Sequence, residues 1–239
     1  MRFSRSKAID WDSPEYKQAR FHYLLQILFG ESLAENYCLR MSEFAPSQEA
    51  RDFLVVQNKE ESGHLELLTD AVSGMERSPD HVSTHLRKLH LIMEGVLARK
   101  DWAGAIFVQN FIVEGLVVTL FQEQRKYADP VIENVFSKII NDEIRHVTFG
   151  IEELQKVLAA DHDGFIAKHL ILLQRKTLFH AVLFFNDLAW DADDLGMHWD
   201  DLARVVVEDH VERIKRAGLH LPLADRLFLR AAYLFFKYV

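Results

Sequence analysis

The sequence predicts an all-α fold, and three observations lead to this prediction. Apolar residues recur at spacings of three and four along almost the whole chain, which is the period of an amphipathic helix. The alternation of β-branched and polar residues that is typical of strands is nearly absent. The five prolines lie between the periodic stretches or at their first positions, so none of them breaks a predicted helix.

Eight helices follow from this pattern. Pro14 comes directly after Ser13, and Pro130 directly after Asp129, so each proline falls in a first helical turn behind a capping residue. The other three prolines lie in turn-like segments. No linker or low-complexity segment divides the chain, and we therefore expect residues 1–239 to form one domain. The predicted helices lie near residues 14–43, 48–76, 81–99, 101–126, 130–159, 162–194, 197–217 and 222–238.

Composition limits the class of protein. Hydrophobic residues make up 49% of the 239 residues, which excludes disorder. The net charge of −8 argues against nucleic acid or an anionic membrane surface as a partner. Cys38 is the only cysteine, so an intrachain disulfide and a thiolate metal site are both excluded.

Two further absences concern location. The N-terminal residues have no apolar region of the kind found in signal peptides. The most apolar stretch, residues 105–121, contains Gln109, Asn110 and Glu114, which argues against a membrane span. We therefore expect a cytoplasmic protein without a membrane span.

Two copies of Glu-x-x-His are the most informative motifs. They are Glu61 with His64, and Glu143 with His146, and each lies inside a proline-free helical stretch. Residues three apart lie on one face of a helix, so each motif points a carboxylate and an imidazole in the same direction. A single copy would carry little weight, since about one is expected by chance in a chain this rich in Glu and His.

A carboxylate in an apolar helical segment precedes each motif. Glu31 lies in ILFGESLAENY and Glu114 lies in FVQNFIVEGLVVTLF. An ionised carboxylate in such a setting is costly unless it is paired with a buried cation or bound to a metal. One Glu from each of two helices and Glu-x-x-His from each of two others is the ligand set of ferritin-like dimetal bundles. The sequence therefore predicts a ferritin-like four-helix bundle, built from the first, second, fourth and fifth helices, with additional C-terminal helices.

The chemistry of this set favours iron or manganese. Four carboxylates and two imidazoles are hard, oxygen-rich ligands. Their charge would balance two divalent ions, so we expect two Fe ions, or a Mn/Fe pair, that react with O2. The apolar residues around Glu114 would exclude water and hold a small apolar substrate. Glu60 points about 100° away from Glu61, so we expect it to be solvated, and Asp142 is a candidate outer partner of the site.

The chain resembles the aldehyde-deformylating oxygenases, formerly called aldehyde decarbonylases. The resemblance extends over nearly the whole chain, through SPEYK, GESLAENY, KEESGH, VQNFIVEG, NDEIRHVTFG and DADDLGMHWDDL. It implies deformylation of a fatty aldehyde to a hydrocarbon and formate, with electrons from a ferredoxin-type donor. It also favours Glu31 over Glu35, one turn later, as the first ligand. The ligands that it implies are Glu31, Glu61, His64, Glu114, Glu143 and His146.

Other positions match or depart from the family. Gln109 matches, but it lies about 140° around an ideal helix from Glu114, and we therefore expect it to have little catalytic weight. Leu120 and Phe121 stand where the family has a small residue and a tyrosine. Gly63 replaces an arginine and Arg20 replaces a tyrosine. Since Phe121 shares the face of Glu114, we expect it and Leu120 to shape the substrate pocket.

Two other functions remain open at this stage. The same ligands could serve an N-oxygenase or hydroxylase of a biosynthetic pathway. They could also serve a ferroxidase or iron-storage protein, which assembles as a large shell, whereas we expect an oxygenase of this kind to be a monomer or dimer. The helices beyond the minimal bundle and the apolar setting of Glu114 favour the oxygenase.

Overall fold

The computed structural model describes residues 9–73, 82–197 and 199–238, and every regular element among them is helical. The eight helices closely follow the predicted ranges, except that residues 74–81, which include the predicted end of the second helix, lie outside the described residues. The helices are α1 (Pro14–Ser42), α2 (Gln48–Ala71), α3 (Thr84–Ala98), α4 (Trp102–Gln124), α5 (Pro130–Ala159), α6 (Phe165–Ala192), α7 (Trp199–Ala217) and α8 (Leu223–Tyr238). That residues 1–239 form one domain stays a prediction.

The two predicted proline starts are confirmed. The Ser13 hydroxyl accepts a hydrogen bond from the Tyr16 backbone N–H at the start of α1. The Asp129 carboxylate accepts from the backbone N–H groups of Val131 and Ile132 at the start of α5. Each cap satisfies N–H groups that the helix itself leaves without a partner.

The contact with Asp129 also gives Arg20, which replaces a tyrosine of the family, a structural role. The Asp129 carboxylate accepts hydrogen bonds from Arg20 Nη1 at 2.7 Å and from the Tyr16 hydroxyl at 3.0 Å. Burial raises the pKa of Asp129, but these bonds outweigh it and leave the pKa below its usual value. Arg20 therefore fastens the start of α1 to the start of α5, which are the first and last helices of the predicted metal-bearing four.

The four helices that carry the predicted ligands form the centre of the molecule. α1 packs along α2, α4 packs along α5, and α2 also contacts α5. The remaining helices surround this bundle: α3 packs on α6, α7 packs on the second half of α4, and α8 packs on α7. The predicted bundle with additional C-terminal helices is confirmed, and α3 is a further helix outside the metal-bearing four.

Helix α4 is irregular in its middle. Trp102–Ile106 and Glu114–Gln124 are α-helical, and the intervening Phe107–Val113 is a π-helix. The Glu114 N–H bonds to the carbonyl of Gln109, five residues earlier. Gly150 of α5 faces this segment, and a side chain at that position would collide with Asn110. The absence of a Cβ there lets α5 approach the π-helix closely.

By length and composition, α4 is also the single helix among the described residues that could cross a membrane. It is 83% buried inside the molecule over its most apolar part. Its apolar surface is therefore covered by the other helices of the bundle.

Candidate metal centre

The six predicted ligands come together between α1, α2, α4 and α5. They form two groups whose ligand atoms lie within 4.8 Å of one another. The first group is Glu31, Glu61, His64 and Glu143, and the second is Glu61, Glu114, Glu143 and His146. All six side chains are buried. Each group has the size and composition of one metal site, and Glu61 and Glu143 belong to both.

The two shared carboxylates each offer one oxygen to each group. His64 Nδ1 lies 3.5 Å from Glu61 Oε2 and 3.0 Å from Glu143 Oε1. His146 Nδ1 lies 3.3 Å from Glu61 Oε1 and 3.2 Å from Glu143 Oε2. Glu61 and Glu143 would therefore be available to both metal ions if each group held one. Glu31 Oε2, 3.4 Å from His64 Nδ1, belongs to the first group alone.

Unsatisfied polar atoms mark the same place. Glu31 Oε2, Glu61 Oε2, Glu143 Oε1 and His64 Nδ1 are buried and have no hydrogen-bond partner. Buried polar atoms without partners are rare, because each costs free energy. A divalent cation between these four atoms would satisfy all of them, so the residues fit a metal ion.

The carboxylates strongly disfavour one another as anions. Burial raises the pKa of Glu31 well above its usual value, and the charges of Glu143 and Glu61 raise it further. Burial, with the same two neighbours, also raises the pKa of Glu114. Four carboxylates in a buried space need compensating positive charge, which protons supply when metal ions do not.

The imidazoles respond in the opposite direction. Burial lowers the pKa of His64, but the neighbouring carboxylates of Glu143 and Glu31 outweigh it and raise the pKa well above its usual value. The pKa of His146 is raised for the same reasons, with Glu143 as its main partner. Metal ions must displace these protons, so metal binding should release protons and strengthen as pH rises.

A second layer of hydrogen bonds orients both imidazoles. His146 Nε2 lies 2.9 Å from Glu60 Oε2, and His64 Nε2 lies 3.3 Å from Asp142 Oδ2. Arg145 Nη2 lies 2.6 Å from a carboxylate oxygen of each of these acids. Glu60 precedes Glu61 of the first motif and contacts His146 of the second, whereas Asp142 precedes Glu143 of the second motif and contacts His64 of the first. With Nε2–H donating outward, Nδ1 is free to face a metal ion.

These contacts test two predictions about the surroundings. Asp142 is an outer partner of the site, as predicted. The prediction that Glu60 is solvated is wrong, because Glu60 turns away from Glu61 but toward His146 of the neighbouring helix α5. The predicted angle between Glu60 and Glu61 on α2 was correct, but the partner of Glu60 is His146, which belongs to α5.

The structure also corrects the assessment of Gln109. Gln109 Nε2 donates to Glu114 Oε1 at 2.5 Å, so the separation of about 140° from Glu114, on which its expected small weight rested, is wrong. The physical reason is the π-helix Phe107–Val113, whose wider turn brings residues five apart onto one face. Gln109 therefore fixes one oxygen of Glu114 and leaves the other for the second group.

Two residues of the site were missed in the sequence. Gln57 Nε2 donates to Glu61 Oε1 at 3.0 Å, and Asn110 Nδ2 donates to Gln57 Oε1 at 2.8 Å. Gln57 lies four residues before Glu61 on the same face of α2, and this spacing was the available signal. Glu35, the alternative to Glu31, accepts a hydrogen bond from the Ser62 hydroxyl and is in neither ligand group.

An apolar cavity of about 70 Å³ adjoins the ligands. It lies between α1, α3, α4 and α6, and both Glu31 and Glu114 contribute to its wall. Leu120 and Phe121, two of the four departures from the family, also line it, as predicted. The rest of the wall is almost entirely aliphatic or aromatic, with Tyr23, Leu89, Val117, Ala181 and Phe185 among its members.

The glycines near the ligands have different roles. Gly30 lines this cavity, and a Cβ at Gly30 or at Gly63 would meet open space. Gly115 is different, because a side chain there would collide with the buried guanidinium of Arg213 from α7. Gly115 therefore makes room for a packing contact between helices, not for a ligand of the metal site.

A helical bundle that collects four Glu and two His into two groups with shared carboxylates defines a ferritin-like dimetal carboxylate protein. The predicted fold class and a pair of sites able to hold two metal ions are thus confirmed. The chain belongs to the long-chain fatty aldehyde decarbonylase family, whose sequence pattern matches residues 13–231. The predicted resemblance is confirmed, and so is the prediction that the protein is an oxidoreductase.

Solved structures show the same fold. "Protein 19 with aldehyde deformylating oxidase activity from Synechococcus" has a TM-score of 0.82 and 20% identity, over 93% of this chain and 100% of that chain. An R2-like ligand-binding oxidase, the Y715F mutant with an anaerobically reconstituted Mn/Fe cofactor, has a TM-score of 0.72 and 18% identity, over 90% and 88%. No curated protein matches the chain.

Proposed function

We propose that this protein is a dimetal oxygenase that removes the carbonyl carbon of an aliphatic aldehyde as formate, releasing a hydrocarbon. The observation that carries the proposal is the apolar cavity that reaches Glu31 and Glu114, one from each ligand group. An alkyl chain would fit between its aliphatic and aromatic walls, and the polar end would then face the ligands. Membership of the decarbonylase family supports the choice of an aldehyde.

Within this proposal, Glu31, Glu61, His64, Glu114, Glu143 and His146 hold two metal ions, either Fe/Fe or Mn/Fe. A bound metal pair of this kind would supply the redox chemistry needed to reduce O2. Gln57 and Gln109 each hold one oxygen of a ligand carboxylate, at 3.0 and 2.5 Å. Leu120, Phe121 and their neighbours exclude water from the reacting carbonyl and position the chain.

The first experiment tests the metal ligands. Glu114→Ala should lose bound metal and activity but keep its helicity, because most of the core is apolar and lies elsewhere. Glu153→Ala is a matched control, since Glu153 is also a buried Glu of a bundle helix but lies outside both ligand groups. Elemental analysis of the iron-loaded proteins should give about two metal ions per chain for the unmodified protein and for the control. One zinc per chain, or no metal after loading, would contradict the site.

The second experiment identifies the reaction. The reduced protein is incubated in air with aldehydes, amines and carboxylic acids, and formate and hydrocarbon are quantified together. Equal amounts of both products from an aldehyde support the proposal. Oxidation of an amine or hydroxylation of an acid, with no formate, would instead identify the N-oxygenase or hydroxylase.

We further propose that a ferredoxin-type protein supplies the electrons in the cytoplasm and that the enzyme is a monomer or dimer. Converting an aldehyde and O2 into a hydrocarbon and formate requires additional electrons, so repeated turnover should depend on a reductant. Multiple turnovers in air without any reductant would contradict this mechanism. Light scattering separates a monomer or dimer from the large shell of an iron-storage protein.

A further inference from the structure

The outward side of α6 has an unusual composition. The large apolar side chains that it exposes are Phe165, Leu172 and Phe179, with exposed fractions of 77%, 56% and 52%. These three residues are spaced seven apart, or about two helical turns, which places them along one side of the helix. No acidic residue interrupts this set, in a chain that has 36 Asp and Glu against 28 Lys and Arg. From residue 165 to residue 180, the exposed residues of α6 are Phe165, Lys168, Leu172, Arg175, Lys176 and Phe179.

Two neighbouring helices extend this surface. On α3, Lys88 and Leu91 are exposed, and Nδ1 of His85 on the same helix lies 3.3 Å from Nδ1 of His180 on α6. On α8, Leu227 and Phe228 are exposed. A surface groove lined by Ile92, Phe179, His180 and Phe228, among others, joins the three helices. We call the exposed α6 residues above, together with Lys88, Leu91, Leu227 and Phe228, the basic–apolar face.

Lys168 and Lys176 are the cations of this face that are available to a partner. Arg175 forms an ion pair with Asp225, with Nε and Oδ1 2.7 Å apart. Among the described residues, no ion pair involves Lys168 or Lys176, and both are exposed. A partner that approaches this face therefore meets unneutralised positive charge beside exposed Leu and Phe.

The combination of charges and apolar side chains selects the partner. A second copy of the chain on this face would bring like charges together, which is unfavourable. Large apolar side chains between Lys and Arg are the features of helices that lie in the interface of an anionic bilayer, where Phe and Leu enter the acyl region and the cations meet phosphates. We propose that the basic–apolar face docks on the surface of an anionic lipid bilayer.

The overall net charge of −8 does not oppose this docking. That value predicted no affinity for an anionic membrane surface, but it averages over all sides of the molecule. Charges separated by more than about 8 Å are largely screened at physiological ionic strength. A bilayer therefore responds to the nearest side chains, and on this face those are cationic.

The basic–apolar face lies on two helices, α3 and α6, that also line the apolar cavity beside the candidate metal centre. The opposite sides of the same two helices line the apolar cavity, through Leu86 and Leu89 of α3 and Ala181 and Phe184 of α6. Docking would bring this wall of the cavity close to the acyl chains of a membrane. The inference does not depend on the proposed function, because its test measures binding and needs no turnover.

Vesicle co-sedimentation of the full-length, metal-loaded protein tests the proposal. The vesicles contain phosphatidylcholine alone or a mixture with phosphatidylglycerol. The test variant is Lys176→Glu with Phe179→Ser. The control is Lys59→Glu with Val56→Ser on α2, where an exposed Lys and an exposed Val are likewise three residues apart. Both variants change the net charge equally, and circular dichroism verifies that both are folded.

The unmodified protein and the control should bind the phosphatidylglycerol vesicles, and added salt should weaken this binding. The test variant should bind about thirtyfold more weakly, because each cationic charge at an anionic surface is worth about 1 kcal/mol and the reversal changes two. If the test variant does not fold, Lys168→Glu alone should show the same direction of change.

Several results would overturn the proposal. They are absence of binding by the unmodified protein, equal binding to both kinds of vesicle, and equal loss in the control. Dissociation of a dimer by the test variant, without vesicle binding, would assign the face to a second copy. Loss of binding to an acidic electron carrier, again without vesicle binding, would assign it to a protein partner.

Discussion

Removing the Glu60 carboxylate should weaken the metal site without touching a ligand. His146 is fully buried, and its Nε2 lies 2.9 Å from Glu60 Oε2. In Glu60→Ala, this Nε2–H loses its acceptor, and the ring loses the contact that directs Nδ1 toward the shared carboxylates. Loss of such an outer partner typically costs about 10- to 100-fold in metal affinity. The short contact and full burial place Glu60 at the upper end of this range.

The corresponding acid on the other half of the site should matter less. Asp142 Oδ2 lies 3.3 Å from His64 Nε2, which is a longer and weaker contact. We therefore expect Asp142→Ala to cost nearer tenfold than 100-fold. Glu60→Gln should fall between wild type and Glu60→Ala, since its amide oxygen still accepts a hydrogen bond but carries no charge.

The assay is an anaerobic titration of the metal-free proteins with Fe²⁺ or Mn²⁺, followed by calorimetry. Glu66→Ala is the control, because Glu66 is an exposed Glu on the same helix α2 and is in neither ligand group. Unchanged affinity in Glu60→Ala would refute the orienting role. A larger loss in Asp142→Ala than in Glu60→Ala would refute the reasoning from distances.

Two further predictions concern the cavity and a buried histidine. Leu120→Ala should shift preference toward longer aldehydes by roughly 1–3 kcal/mol in relative transition-state binding, measured as ratios of kcat/KM, since Leu120 lines the cavity. If the unmodified protein already prefers long-chain aldehydes and this variant changes nothing, Leu120 does not limit the chain. Burial lowers the pKa of His210 to about 4, whereas an unfolded histidine titrates near 6.5. The unfolded state therefore binds the additional proton, and about 3 kcal/mol of stability should be lost as pH falls from about 6.5 to 4. Urea unfolding should show that His210→Leu removes this part of the pH dependence and that the exposed His162→Leu does not; equal curves for His210→Leu and wild type would contradict it.

The helices could be predicted because their signals are local. Helix α5 was predicted over residues 130–159 and spans Pro130–Ala159, since a cap, a first-turn proline and an uninterrupted period define it. The clustering of the six candidate ligands was predictable for a related reason. Each Glu-x-x-His motif fixes its own geometry within one turn, and two such motifs restrict the remaining carboxylates to buried positions on neighbouring helices.

Contacts between helices were much harder to predict. The helical angle of Glu60 relative to Glu61 was correct, yet the conclusion that Glu60 is solvated was wrong. A helical wheel describes directions around one axis, and it contains no information about which neighbour occupies each direction. His146 fills the direction of Glu60 only because α2 and α5 pack side by side. The role of Arg20, which holds Asp129 at the start of α5, was beyond prediction for the same reason.

Gln109 shows a different limit, because there the local geometry itself departs from the ideal. An α-helical turn of about 3.6 residues separates Gln109 and Glu114 by about 140°. The π-helix lengthens the turn, and the Glu114 N–H reaches back to the Gln109 carbonyl, so both the backbone and the side chain of Gln109 hold Glu114. On α2, an ordinary helical turn suffices for Gln57 to donate to Glu61 from four residues away. The two helices thus supply the same amide-to-carboxylate contact with different backbone geometry. The residue spacing that identifies an outer partner on one helix fails on the other.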